Sequence, residues 1–197
     1  MILLALDFTS ASSYLALGPS VAFSEEIEVD LLLQPFRVLQ LPPPTKIRNE
    51  SVAERHQRIR AEYRSADLER YAEVQGIRLE IAPYGIDPTL AHGALLVANE
   101  HGVGIEFARR VFTSFWEGRL DIESSTEIRK VLEGLDVEFN PSMDLLHAQL
   151  DEVRSTLEEQ EIYSVPTFLV EGERFIGRQH FPMIRSMLSV ERRSPPT

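Results

Sequence analysis

Two separated stretches of the chain carry residue types that could form a reactive site. The first is residues 7–15: the apolar run 2–6 leads into it, it contains the hydroxyl-rich turn Thr-Ser-Ala-Ser-Ser, and a helix-compatible run, 13–23, follows. This order predicts Ser10 at or just before a helix N-terminus, where unpaired N–H groups and the helix dipole can stabilise an anion or a bound thiolate. A serine in this place is also a common N-cap, and Ser12 or Ser13 could serve as the cap alone.

The second stretch is Val165-Pro166-Thr167, at the start of an apolar run near the other end of the chain. A proline here is ordinary where a helix ends or where an edge strand begins. A cis Val165–Pro166 bond is a further interpretation, since a cis-proline loop turns the N–H and C=O of the preceding residue toward an extended ligand. Our hypothesis is that the two stretches are the halves of one site.

The composition narrows the chemistry that such a site could perform. The 197 residues include no cysteine, which excludes disulfides, thiolate metal sites and thiol redox chemistry by the protein itself. The five histidines (56, 92, 101, 147 and 180) lack close ligand spacing, so we expect no metal site. The net charge of -11 disfavours nucleic-acid binding. Without a leader pattern or a membrane-spanning stretch, we expect a cytoplasmic protein that acts on a small molecule.

The hydrophobic pattern predicts the elements that position these stretches. Strands are predicted over 2–8, 27–33, 167–170 and 174–176, and helices over 13–25, 51–75, 89–101, 104–117, 124–133, 142–162 and 180–188. The Arg and Glu residues that alternate in 51–75 are typical of a solvated helix face. The predicted architecture is α/β: a βαβ unit with a right-handed crossover, a large all-helical insertion and a ββα unit, with helices on both faces of the sheet.

The proline-rich run 41–45 marks the entry into the insertion. We therefore expect a discontinuous domain formed by residues 1–40 and 163–190. The helical insertion domain would occupy residues 41–162. Residues 191–197 would form a tail.

Four motifs occur in order along the chain. Residues 7–16 are similar to D-F-x-S-P-x-S-Y-L-A, residues 63–77 to Y…D-x-x-R-x-A…G-I, residues 111–122 contain V-F…F-W-E-G…D-I, and residues 164–179 are similar to G-V-P-T-F…G…F-x-G-x-D. Together they resemble the DsbA-like branch of the thioredoxin fold, and within it the 2-hydroxychromene-2-carboxylate isomerases and the kappa-class glutathione transferases. The chain departs from the pattern at Ala11, where relatives carry proline, and at Ser164, where they carry glycine.

The resemblance implies that glutathione brings the reactive thiol. Ser10 stands where thioredoxins carry the redox cysteine, and in these relatives the serine hydroxyl holds the glutathione sulfur as a thiolate. Val165 would bind the cysteinyl backbone of glutathione ahead of a cis Pro166.

The turn Gly177-Arg178-Gln179 would face the γ-glutamyl end of glutathione. Gln179 stands where relatives commonly carry an aspartate for the α-amino group. Losing that charge-assisted contact is expected to weaken binding by roughly 1.5–3 kcal/mol.

The activity implied by the resemblance is glutathione-dependent cis/trans isomerisation of an aromatic or related conjugated carboxylate. It requires an ionised thiol, a cation for the substrate carboxylate and a pocket that excludes water. Lys46, Arg48 and Asn49, a small basic and polar group, are the predicted ligands of the carboxylate. The alternatives are a kappa-like glutathione transferase and a non-catalytic DsbA-like binding protein. Relatives commonly form homodimers, so we expect one here.

Overall fold

The sheet brings both predicted halves of the site to one of its ends. The structure is a computed structural model and describes residues 1–81 and 83–191. Its strands are β1 (Ile2–Leu6), β2 (Leu31–Pro35), β3 (Thr167–Val170) and β4 (Glu173–Ile176). Its helices are α1 (Ala11–Glu26), α2 (Val52–Gln75), α3 (Thr89–Glu100), α4 (Gly104–Trp116), α5 (Ser125–Glu133), α6 (Met143–Glu159) and α7 (Phe181–Glu191), with a 3-10 turn at Arg178–His180 before α7.

The strand order is β2-β1-β3-β4, with β1 parallel to β2 and antiparallel to β3. Thr167, the first residue of β3, lies opposite Ala5 of β1 and opposite Ile176 of β4. The end of β1, the start of β3 and the end of β4 therefore meet at one end of the sheet. The chain segments next to these strand ends are residues 7–10, 165–166 and 177.

The two faces of β1 enter different apolar clusters, because successive side chains of a strand point to opposite faces. Ile2, Leu4 and Leu6 belong to the main core, which also contains α3 and α4 residues of the insertion. Ala5 belongs to a smaller cluster on the other face, with Leu157 of α6. The inserted helices thus share the main core with the sheet, and both faces of the sheet are covered as predicted.

The second strand lies later in the chain than predicted, at 31–35 instead of 27–33. Ile27 ends α1, and Glu28 has a positive φ of 53°, so the chain turns before it extends. The strand ends at Pro35, and β2 is an edge strand, where a residue without an N–H is tolerated.

Helix α1 continues through a proline, Pro19. Proline has no N–H, so the carbonyl of Leu15, four residues earlier, lacks its helical partner. That carbonyl instead accepts hydrogen bonds from Gln75 Nε2 of α2 and from Arg178 Nη1, each at 3.2 Å. The freed carbonyl joins α1 to the end of α2 and to the turn before α7.

The element order is the predicted one: βαβ, five inserted helices, then ββα. The domain boundaries given above remain predictions. Of the predicted tail, 191–197, Glu191 is the last residue of α7, and residues 192–197 lie outside the described residues.

Candidate functional site

A cleft of about 890 Å³ opens beside the N-terminus of α1. The turn 9–12 and one face of α2 both line it. The remaining lining comes from the proline-rich segment 40–44, from Trp116 of α4, and from Leu79, Ile81, Pro83 and Tyr84. The volume falls within the range typical of small-molecule sites.

Ser10 is the N-cap of α1 and also lines this cleft. Its Oγ accepts a hydrogen bond from the Ser13 amide at 3.3 Å and lies 2.9 Å from Ser12 Oγ. The residue is only 4% exposed, whereas Ser12 is half-buried. One hydroxyl of the Ser10–Ser12 pair donates to the other, so one proton of the pair is left to donate to a ligand.

Two backbone amides beside this hydroxyl pair are unpartnered within the described part of the chain. The amides of Ser13 and Tyr14 bond to Ser10, but those of Ala11 and Ser12 make no hydrogen bond there. The first N–H groups of a helix have no helical acceptor and carry the positive end of the dipole. The turn can therefore stabilise a negatively charged ligand atom that lies against these two amides.

The Asp7 carboxylate fixes the shape of this turn by hydrogen bonds. Its Oδ1 accepts hydrogen bonds from the Thr9 amide and the Thr9 hydroxyl, both at 2.8 Å. Its Oδ2 accepts from the Val38 amide at 2.7 Å, in the segment that follows β2. One buried carboxylate thus binds the turn and the start of the segment that lines the cleft.

His92 of α3 lies against this carboxylate. Its Nε2 is 3.5 Å from Asp7 Oδ1, an ion-pair separation at which Nε2 makes no hydrogen bond to the described residues. Burial raises the pKa of the Asp7 carboxyl, but contact with His92 and the hydrogen bonds from Val38 and Thr9 together outweigh it. The resulting pKa lies below the usual 3.8, so Asp7 is a carboxylate at neutral pH.

Trp116 holds the same turn from α4. Its Nε1 donates a hydrogen bond of 3.0 Å to the carbonyl of Phe8, and its side chain is buried. Trp116 also lines the cleft, so one side chain both fixes the turn and shapes the pocket.

The α2 wall carries a basic stripe that the sequence analysis missed. His56, Arg60 and Arg64 line the cleft at i, i+4 and i+8, and one carboxylate, Glu69, accompanies them. Neither arginine makes an ion pair within the described residues, whereas Arg58 on another face pairs with glutamates. Like charges at i, i+4 are unfavourable in an isolated helix, and this spacing was the sequence signal that could have identified the stripe.

The predicted carboxylate ligands lie elsewhere. Lys46, Arg48 and Asn49 are exposed and do not line this cleft. After the three prolines, the chain has no regular structure until α2 begins, and these side chains project from it into solvent. The cations of the cleft are instead Arg60 and Arg64.

The Val165–Pro166 bond is cis, as one of our interpretations expected. The Pro166 carbonyl accepts a hydrogen bond of 2.9 Å from the Gly177 amide, so two of the predicted cofactor contacts lie side by side. They share this end of the sheet with the Ser10 turn but are not in the lining of the cleft.

Arg178 and Gln179 are engaged with the protein itself. The Arg178 guanidinium lies 3.5 Å from the centroid of the Tyr71 ring while it donates to the Leu15 carbonyl freed by Pro19. Gln179 Nε2 donates to the Ile176 carbonyl at 2.8 Å. The structure therefore gives Arg178 a structural tie where the resemblance predicted a cofactor contact.

Residues 1–81 and 83–191 carry neither a membrane-spanning helix nor a cluster of metal ligands. In that part of the chain, no helix is long and apolar enough to cross a membrane. The same residues contain no group of three or more acidic or histidine side chains arranged to hold a metal ion.

Comparison with known proteins identifies the family. The fold is similar to that of 2-hydroxychromene-2-carboxylate isomerase, with a TM-score of 0.71, 16% identity and coverage of 98% of this chain and 96% of that one. The cytosolic disulfide reductase DsbM of Pseudomonas aeruginosa, determined with GSH, gives a TM-score of 0.63 at 18% identity, covering 98% and 99% of the two chains. DsbA of the same organism gives 0.55 at 15% identity, covering 98% and 87%.

No curated protein sequence matches the chain. The model of the DSBA-like thioredoxin domain matches residues 21–189, which begin after the Ser10 turn. The fold is accordingly the predicted thioredoxin-like fold with inserted helices, and the chain belongs to the DSBA-like thioredoxin domain family.

Proposed function

We propose that the protein is a glutathione-dependent cis/trans isomerase of a conjugated carboxylate, of the 2-hydroxychromene-2-carboxylate isomerase type. The observation that carries the proposal is the cleft with two chemically different walls. A hydroxyl-bearing helix N-terminus, around Ser10 and Ser12, faces unpaired arginines, Arg60 and Arg64. Such a cleft suits a ligand with a thiolate at one end and a substrate with a carboxylate at the other.

The thiol end of glutathione fits the residues at the turn. The remaining proton of the Ser10–Ser12 pair and the free amides of Ala11 and Ser12 would hold a sulfur anion and lower the pKa of the bound thiol. The chain has no cysteine, so glutathione, when bound, would supply the thiolate that adds reversibly to the conjugated double bond and allows the resulting single bond to rotate.

The γ-glutamyl end fits less well. Gln179 offers no carboxylate to an α-amino group, and its amide already donates to Ile176. Arg178 is occupied by Leu15 and Tyr71. We therefore expect weak glutathione binding that depends mainly on the thiol end and on the backbone of Val165 beside Pro166.

The protein's own residues have three tasks in this reaction: to bind the substrate, to stabilise the charge that develops on it and to exclude water. Arg60 and Arg64 would bind the substrate carboxylate and orient the double bond toward the turn. The same positive charges would stabilise the negative charge that moves into the substrate as the carbon–sulfur bond forms. Trp116 and the prolines of the 40–44 segment would exclude water from the bond that rotates.

The arginines favour an isomerase over the alternative of a kappa-like transferase, which a wide apolar pocket without a cation would have favoured. The second candidate is a non-catalytic DsbA-like binding protein. Two features of Ser10 favour that candidate: its Oγ already accepts the capping hydrogen bond from the Ser13 amide, and the residue is only 4% exposed, which leaves little surface for a ligand. The resemblance also predicts a homodimer and a cytoplasmic location, and both stay predictions.

The test is turnover of 2-hydroxychromene-2-carboxylate to its trans isomer with and without glutathione. We expect turnover only with glutathione. In the double variant Arg60→Gln/Arg64→Gln, the loss of two charge-assisted contacts should raise KM about tenfold or more.

The matched control is Arg55→Gln/Arg70→Gln, which removes the same charge from α2 outside the cleft lining and should leave KM unchanged. A stable glutathione adduct in place of the trans product would identify the transferase instead. No reaction with either product would support the binding protein.

A further inference from the structure

We propose that His92 is a positioning residue for the candidate site. It acts through Asp7, which holds both the Ser10 turn and the segment after β2 that lines the cleft. This role concerns the shape of the cleft and is the same whichever ligand the cleft binds.

The Asp7 carboxylate and the His92 imidazole are buried together. The Asp7 side chain has no exposed surface, and the His92 side chain is 3% exposed. An ionised carboxylate in such a place must be compensated by hydrogen bonds and a partner of opposite charge. Thr9 and Val38 supply the hydrogen bonds, and the His92 imidazole lies 3.5 Å from Oδ1, with its ring packed against Phe8 at 5.7 Å between centroids.

Asp7 binds two separate segments of the chain. Oδ1 binds Thr9, next to Ser10, and Oδ2 binds Val38. Within the described chain, no hydrogen bond joins residues 39–49 to any other part of the protein, and the next side-chain tie is made by Glu50 to Arg58. The Val38 bond is therefore the last attachment before the 40–44 segment that forms part of the cleft wall.

His92 also borders a second cavity, of about 200 Å³, on the side of α6. The charged or titratable side chains that line this cavity with His92 are Arg37, His147, Asp151 and Arg154.

Both arginines of this cavity have carboxylate partners of their own. Arg37 pairs with Asp87 at 3.1 Å, and Arg154 pairs with Glu158 at 2.8 Å. Within the described residues, the ion-pair contact recorded for His92 is the one with Asp7, at 3.5 Å.

The experiment follows the Asp7 carboxyl by NMR through the amide shifts of Thr9 and Val38, which bond directly to it. The protein is titrated from neutral pH downward, without any ligand. In the wild type, both reporters should titrate with a midpoint below 3.8, the usual aspartate value. In His92→Phe, which keeps an aromatic ring beside Phe8 but removes the imidazole from Asp7, the midpoint should be higher than in the wild type.

Two further variants make the test specific. His92→Gln keeps a donor near Oδ1, and its midpoint should lie between those of the wild type and His92→Phe; this variant carries the test if His92→Phe does not fold. His147 lines the same small cavity but has no recorded hydrogen bond or ion pair to Asp7 within the described residues, so His147→Phe should match the wild type. Wild-type titration of Thr9 and Val38 in both His92 variants would overturn the proposal. Because no glutathione is used, that result would leave the proposed activity untouched.

Discussion

Two turns of this chain share one local arrangement and differ in where the fold places them. Asp7 and Asp87 each accept hydrogen bonds from the amide and the hydroxyl of a threonine two residues later. The Asp7 side chain is fully buried against His92, whereas that of Asp87 is 48% exposed and pairs with Arg37. The local sequence is enough to form either turn, but burial decides how much of the structure depends on it.

The largest expected difference is between Asp7→Ala and Asp87→Ala. Removing Asp7 leaves the Thr9 and Val38 amides buried without their acceptor and takes away the carboxylate beside His92, which should lower the free energy of unfolding by about 3–5 kcal/mol. Solvent can replace the exposed Asp87, so its loss should cost about 1 kcal/mol or less. Urea denaturation followed by circular dichroism measures both. Equal losses would mean that burial does not separate the two turns.

Acid should distinguish the turns in the same direction. The pKa of each carboxyl lies below 3.8 in the folded protein, so each stabilises the fold above that pH. This contribution is lost as the pH falls from 3.8 through the lower folded pKa. Unfolding free energies measured across this range should depend less on pH in Asp7→Asn than in the wild type. Asp87→Asn should change the dependence less, because solvent screens that carboxyl; the reverse order would refute the comparison.

A smaller difference in stability is expected for the hydrogen bonds that join each turn to a residue elsewhere in the chain. Trp116→Phe removes the buried hydrogen bond to the Phe8 carbonyl and should cost about 1–3 kcal/mol. Glu123 accepts from the Asp87 amide in an exposed place, so Glu123→Ala should change stability by about 0.5 kcal/mol or less. Circular dichroism is the suitable probe, because Trp116 is the single tryptophan. A Trp116→Phe protein as stable as the wild type would show that the turn does not need this tie.

The smallest effects should come from the two threonines. Thr9→Val and Thr89→Val each remove a hydroxyl that donates to the aspartate and keep the side-chain shape. We expect a loss of about 1 kcal/mol at Thr9 and a few tenths at Thr89, where water can reach the carboxylate. Thermal unfolding of the pair gives the comparison directly. A larger loss at Thr89 would contradict it.

The sequence was sufficient for the parts of the fold that depend on local pattern. Apolar runs, proline and glycine positions predicted the order of strands and helices, and the motif at 164–177 indicated the cis Pro166. The second strand was misplaced because Ile27 is recruited to end α1. Helix α1 runs through Pro19, and the carbonyl that the proline leaves free bonds to Gln75 and Arg178, which are distant in sequence and give no local signal.

The site was predicted only in part, for the same physical reason. Ser10 could be placed at a helix N-terminus from its neighbours alone. The role of Arg60 and Arg64 depends on the side of α2 that faces the turn, which is a tertiary property. The pairing of Asp7 with His92, 85 positions away, likewise has no local signal.

The central claim is that the Ser10 turn holds a ligand thiolate, and calorimetry with glutathione tests it most directly. The control for Ser10→Ala is Ser124→Ala, because Ser124 is the N-cap of α5 and accepts from the Glu127 amide in the same way, away from the cleft. Each variant should lose about 1 kcal/mol of stability as a cap. We predict saturable binding to the wild type and to Ser124→Ala, with thiolate absorbance at neutral pH. Ser10→Ala should bind about tenfold more weakly and show less thiolate. No binding at millimolar glutathione, or equal affinity in all three proteins, would contradict the claim.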